Sequence, residues 1–136
     1  MNLSPHDPVA DQLRREWFCR VSEISDIGLQ RHTWLDTTNR NPHWSYVEFM
    51  ESYPDDDQLL HALNQGWLST DEFGILSDLG RVLAAHSPPG ENYYDNAAIL
   101  EDRAWHSVVE AAGRARQQLL AITTDQHERQ MLLGTT

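Results

Sequence analysis

Lysine is missing from this chain altogether. Its ten cations are all arginine, set against 21 aspartates and glutamates, for a formal net charge of −11. A domain so acidic is repelled by nucleic-acid phosphates and by anionic membrane surfaces, which argues against either as a partner. Cysteine occurs once, as Cys19, so no internal disulfide framework exists. No apolar run approaches the roughly 20 residues of a membrane span. The opening residues Met1-Asn2-Leu3-Ser4-Pro5-His6-Asp7 show neither a basic nor an apolar leader region, so the cytoplasm is the expected location. The seven glycines do not cluster, and no phosphate-cradling loop or Gly-x-Ser-x-Gly elbow is present. No cofactor is implied. Seven histidines are scattered without a His-x-x-x-His pair or a zinc spacing around Cys19, so no metal site is assigned. Asp55-Asp56-Asp57 lacks the alternate spacing of a calcium loop and suits the first turn of a helix.

What is present is enough apolar material, 40% of 136 residues, for a single buried core. No segment alternates with the period of a strand, and several carry helical stripes. An N-terminal tail over 1–6 precedes the first helix. That helix starts at Asp7-Pro8, aspartate capping and proline at the first helical position. Val9, Leu13, Trp17, Val21 and Ile24 form its stripe, and Gly28 stops it. Arg20 pairs with Glu16 or Glu23, while Arg14, Arg15 and the interleaved acids read as a solvated face. A short segment, Leu29 to Leu35, leads to a loop over Asp36 to Pro42. Ser45-Tyr46-Val47-Glu48 has the form of a capping box and opens a short helix with Tyr46, Phe49, Met50 and Tyr53 inward. Asp55-Asp56-Asp57 leads a helix with Leu59, Leu60 and Leu63, ending at Gly66. Ser69-Thr70-Asp71-Glu72 is a second box, opening a helix to about His86 with Phe73, Ile75, Leu76, Leu79, Val82 and Leu83. Ser87-Pro88-Pro89-Gly90 breaks the chain, and Glu91 to Ala97 is a loop. The last helix runs from Asp102 to Ile122, with Trp105, Val108, Val109, Ala112, Ala115 and Leu119 inward. Residues 125–136 read as a frayed tail. The expectation is an all-α domain over 7–124, a compact bundle of four to six helices with a few long loops. Trp17 and Trp105 belong to its core.

The acids are unevenly placed. Residues 1–47 hold five arginines and six acids; 48–102 hold one arginine and twelve acids; 103–136 hold four arginines and three acids. The middle therefore carries the whole net charge. A concentrated negative region steers a basic partner toward itself, and nearby aromatic side chains supply anchors. The expected partner-binding residues are Glu48, Glu51, Asp55, Asp56, Asp57, Asp71 and Glu72, with Trp44 and Tyr53 as anchors. Tyr46, Trp67, Tyr93 and Tyr94 are further candidate anchors near the acids. A competing expectation is a small enzyme with a histidine and a carboxylate in a helical cleft, His43, Trp44 and Glu48 being its first candidates. A third is a self-associating structural protein with a large apolar patch. Cys19, just off the apolar stripe, is read as packing rather than as a nucleophile.

The order of elements resembles a family of small acidic helical domains of bacteria, common in actinobacteria. The residues that carry the likeness are Arg14-Arg15-Glu16, Gln30-Arg31-His32-Thr33-Trp34, Asp55-Asp56-Asp57, Asp71-Glu72 with Leu76 and Leu79, and Trp105-His106-Ser107-Val108-Val109-Glu110-Ala111-Ala112. It spans Gln12 to Ile122 and departs at the long loop before Trp44. Size and charge are also similar, as a class, to the immunity proteins of bacterial toxin systems. That likeness implies neutralisation of a basic toxin by covering its active site, and it brings no catalytic residue.

Overall fold

A computed structural model describes residues 8–36 and 45–134. The Asp7 cap, most of the 36–42 loop, His43 and Trp44 lie outside the described residues. The described residues form eight α-helices and one 3-10 turn, without a strand. The all-α expectation holds, but with more helices than the four to six anticipated. The surplus comes from short segments that carry too few apolar positions to show a period.

Helix α1 (Pro8–Ile24) buries Trp17, Phe18, Val21 and Ile24. Val9 was expected in that stripe but is 55% exposed at the helix start. Asp26 caps α2 (Ile27–Trp34), accepting from the Leu29 N–H at 2.9 Å. Gly28 therefore sits inside a helix: the aspartate two residues earlier restarts the chain before the glycine can end it. Ser45 opens α3 (Tyr46–Ser52), accepting from the Glu48 N–H at 3.3 Å. Asp55 and Gln58 form a reciprocal box at the start of α4 (Asp56–Asn64), and Gly66 follows it with positive φ. Ser69 and Glu72 form the expected box at α5 (Thr70–Ala85). Leu60 and Val82, expected inward, are largely exposed.

Past the 3-10 turn at Pro89–Glu91, Asp95 caps the six-residue α6 (Asn96–Glu101), where a loop was expected. Asp102 caps α7 (Arg103–Ile122), whose Trp105, Val108, Ala112, Ala115 and Leu119 are buried. Small side chains at 112 and 115 allow close packing against α1 and α5. The C-terminal stretch expected to fray forms α8 (Gln126–Leu133), capped by Asp125 and ended by left-handed Gly134. It packs along α1 with Leu132 fully buried. Arg129 holds it to the end of α7, donating to the carbonyls of Leu120 at 2.6 Å and Thr123 at 3.0 Å.

The core is aromatic at one end. Trp34 meets Tyr46, Phe49 and Trp105 with ring centroids 5.2–6.3 Å apart. Trp17 and Trp105 are buried as expected. Each large side chain taken from water contributes about 1.5–3 kcal/mol. One polar residue is built into this core: Gln30 accepts from the Trp105 indole N–H at 2.8 Å and donates to the carbonyls of Glu23 and Ile24. It satisfies both the buried indole and the last carbonyls of α1.

Candidate partner-binding groove

Two hollows lie between α3 and α5. One, of about 300 Å³, is lined by Met50, Tyr53, Pro54, Asp55, Asp56, Gly80, Arg81, Leu83 and Ala84. The other, of about 280 Å³, is lined by Tyr46, Val47, Met50, Glu51, Ala84, His86 and Tyr93. Met50 and Ala84 belong to both, so the two adjoin as one groove. Its floor is apolar. Glu51, Asp55 and Asp56 are exposed along it. The ion pairs of the described residues engage Glu23, Glu72, Asp78, Asp102 and Glu128, none of which lines the groove. Arg81, the cation that does line it, pairs with Asp78 at 2.6 Å.

The expected binding residues are thus divided. Glu51, Asp55 and Asp56 are brought together on the groove. Asp57 is exposed in the first turn of α4 and Asp71 in the first turn of α5, while Glu48 is half-buried on α3. Two do not serve as expected. Tyr53 is buried beneath the groove, its O–H donating to the Leu76 carbonyl at 2.6 Å. Burial pushes its phenol well above the ordinary range.

Glu72 is also buried, held by Arg14 of α1. The Arg14 guanidinium donates to both Glu72 oxygens at 2.6 and 2.8 Å, to both Glu128 oxygens at 2.8 and 2.9 Å, and to the Trp67 carbonyl at 2.8 Å. It also lies over the Phe18 ring, 5.1 Å from its centroid. Arg14, expected on a solvated face, is therefore the tie between α1, α5 and α8. Its fork satisfies two carboxylates at once. Burial alone pushes the Glu72 carboxyl up, but hydrogen bonds from Arg14 and Ser69 outweigh it and hold the group below its ordinary value. Arg20 pairs with Glu23, as one of the two expected partners. There burial wins, and the Glu23 carboxyl is held above its ordinary value despite Arg20.

Behind the second hollow, which Tyr46 and His86 help to line, runs a chain of polar groups that sequence inspection did not assemble. The Asp102 carboxylate can only accept, so His86 donates to it from Nε2 at 3.0 Å. In the neutral ring Nδ1 is then an acceptor, and the Tyr46 O–H donates to it at 2.9 Å. Asp102 also caps α7, accepting from the Ala104 N–H at 3.2 Å. The chain pins α3, the end of α5 and the start of α7 to one another. Burial, with Tyr93 and Asp102 nearby, pushes the Tyr46 phenol up to about 12, so it keeps its proton at neutral pH. The His86 side chain is only 1% exposed. Tyr46 was expected inward, and a buried phenol needs a partner for its O–H; that requirement was the available signal.

Among the described residues, no group of three or more His, Cys, Asp or Glu is placed to hold a metal ion. No helix among them is long and apolar enough to cross a membrane. Burial and the neighbouring Glu23 push the half-buried Cys19 thiol up, away from nucleophilic character. No family model, curated protein or solved structure matches the chain.

Proposed function

We propose that this domain binds a basic protein partner along the groove between α3 and α5. The supporting observation is the pairing of an apolar floor with exposed acids, Glu51, Asp55 and Asp56, that no arginine of the described residues neutralises. Attraction by the acids raises the association rate, and burial of the floor sets the lifetime of the complex. The specific form favoured by the class-level likeness is an immunity-type protein that covers the active-site cleft of a basic toxin in the cytoplasm.

Nona-arginine is a suitable probe of the face. Wild-type protein binds it with an affinity that falls steeply between about 50 and 200 mM salt, because exposed charges are screened. Asp55→Asn/Asp56→Asn/Asp57→Asn binds more weakly than Asp11→Asn/Glu16→Gln/Glu110→Gln, which removes the same charge elsewhere. Equal weakening by the two triple variants overturns the groove as the docking face. The immunity form is tested by co-expression with the product of the neighbouring coding sequence: a stable complex and loss of toxicity are expected, and a harmless metabolic neighbour that forms no complex overturns that form.

An enzyme with a histidine–carboxylate cleft is the second reading, favoured by His86, which lines the second hollow and pairs with Asp102 behind it. Both His86 nitrogens are already engaged and its ring is covered. The chain Tyr46–His86–Asp102 therefore serves the reading as a brace for the groove wall.

A further inference from the structure

The two hollows of the groove differ in chemistry. The one near Asp55 is lined by Arg81, whose charge meets Asp78 beside it. The other is lined by no arginine. Its lining includes one carboxylate, Glu51, one thioether, Met50, and the rings of Tyr46, His86 and Tyr93. Tyr93 is 50% exposed and its ring lies 6.4 Å from that of Tyr46. At about 280 Å³ the hollow falls at the lower edge of the range, roughly 300–1,000 Å³, that accepts whole small molecules. A single side chain of a larger partner is the better match in size.

A basic side chain meets the chemistry of the walls. Its alkyl stem lies on Met50 and Ala84, its charge meets Glu51, and the ring face of Tyr93 attracts a cation. Arginine suits the site better than lysine. A planar guanidinium stacks on an aromatic face while its fork pairs with a carboxylate, and it gives up its hydration more readily than an ammonium. The buried polar groups below offer no competing anchor, since the Tyr46 O–H and both His86 nitrogens are satisfied.

We propose that the hollow formed by Tyr46, Met50, Glu51, Ala84, His86 and Tyr93 receives one arginine side chain of the partner, Glu51 pairing with its guanidinium and Tyr93 stacking on it. This rests on the docking reading above and specifies what the partner must present. A partner that lacks an arginine at the centre of its contact is excluded by it.

The test is a titration of the isotopically labelled full chain with N-acetyl-arginine amide, followed by amide NMR shifts. Saturable shifts are expected in α3, around His86 and at Tyr93. Glu51→Gln, at an exposed position, weakens binding by up to about fivefold, the scale of an exposed ion pair. Tyr93→Leu keeps the apolar bulk, removes the ring, and weakens binding about two- to fivefold. N-acetyl-lysine amide binds more weakly, and the uncharged citrulline analogue does not saturate. Equal binding of the lysine and arginine probes, or binding that survives both substitutions, overturns the inference. Nona-arginine separates the two levels. If it binds wild type and the single-arginine probe does not saturate, the receptor is wrong and the docking face stands. If nona-arginine itself fails to bind, the docking reading falls.

Discussion

Arg14→Ala is the perturbation that bears most directly on the architecture. The guanidinium is the only cation in contact with two buried carboxylates, Glu72 and Glu128, among the described residues. The three side chains are 9–17% exposed, so little water replaces the lost charge. Removing one member of a buried ion cluster costs about 3–5 kcal/mol, chiefly because the remaining charges are left unpaired. Against a total stability of about 5–15 kcal/mol, that is at least about a fifth of what holds the domain folded. For a chain of this length the melting temperature should drop by about 10–20 °C at neutral pH. The pH dependence gives a sharper test. In the wild type the Glu72 carboxyl is held below its ordinary value of 4.5. The stability it contributes is present above that value and is lost as pH falls through the folded value. Without Arg14, burial of the Glu72 carboxyl is no longer outweighed, and the group binds a proton more readily folded than unfolded. The variant therefore gains stability as pH is lowered from about 7 to 5, and the gap to wild type narrows. Helical circular dichroism, followed through thermal melts across that range, reads both effects. A variant melting within about 3 °C of wild type at neutral pH, or a gap that widens on acidification, would refute the reasoning.

Two further substitutions test the other buried polar contacts. Tyr46→Phe deprives His86 Nδ1 of its donor and should cost about 1–3 kcal/mol in urea unfolding at neutral pH. In the wild type the stability tied to that phenol is full below its ordinary value of 10 and fades as pH rises through about 12, so the variant should lose less on going alkaline; equal alkaline losses would contradict the assignment. Gln30→Leu leaves the Trp105 N–H without its acceptor and removes a donor from the carbonyls of Ile24 and of Glu23, the latter keeping the Asp26 N–H. It should cost about 2–4 kcal/mol and alter the near-ultraviolet signal of Trp105; a loss under about 1 kcal/mol would show that the amide is dispensable.

What could be read from sequence was local. The Ser69–Glu72 box lies within four residues, and the stripe from Trp105 to Leu119 repeats with the helix, so α5 and α7 were legible. Helix α6 was hidden because six residues hold only Ile99 and Leu100 as buried positions, too few to define a period. Helix α8 looked like a polar tail because one of its two fully engaged positions, Glu128, is an acid whose partner is 114 residues away. The same distance problem misassigned Glu72. It is an acid beside another acid, Asp71, yet Asp71 is exposed while Glu72 faces Arg14, 58 positions earlier. The histidine that matters on the groove wall, His86, carried no motif. Its role comes from Tyr46 and Asp102, 40 and 16 residues distant. On the groove itself, charge counting named Glu51, Asp55 and Asp56, which are exposed there, but it could not remove the acids that folding consumes, such as Glu72.

The seating of α8 against α1 has a consequence for biosynthesis. The ribosome delivers α1 first, and the strip of α1 that α8 covers stays uncovered until residues 126–132 leave the exit tunnel. Until then Arg14 lacks Glu128, one of its two carboxylate partners. A polypeptide interrupted after α7 should remain open to proteolysis along its first helix, whereas the finished chain resists. Pulse-labelled truncations ending near residue 124 would reveal it by their shorter half-life.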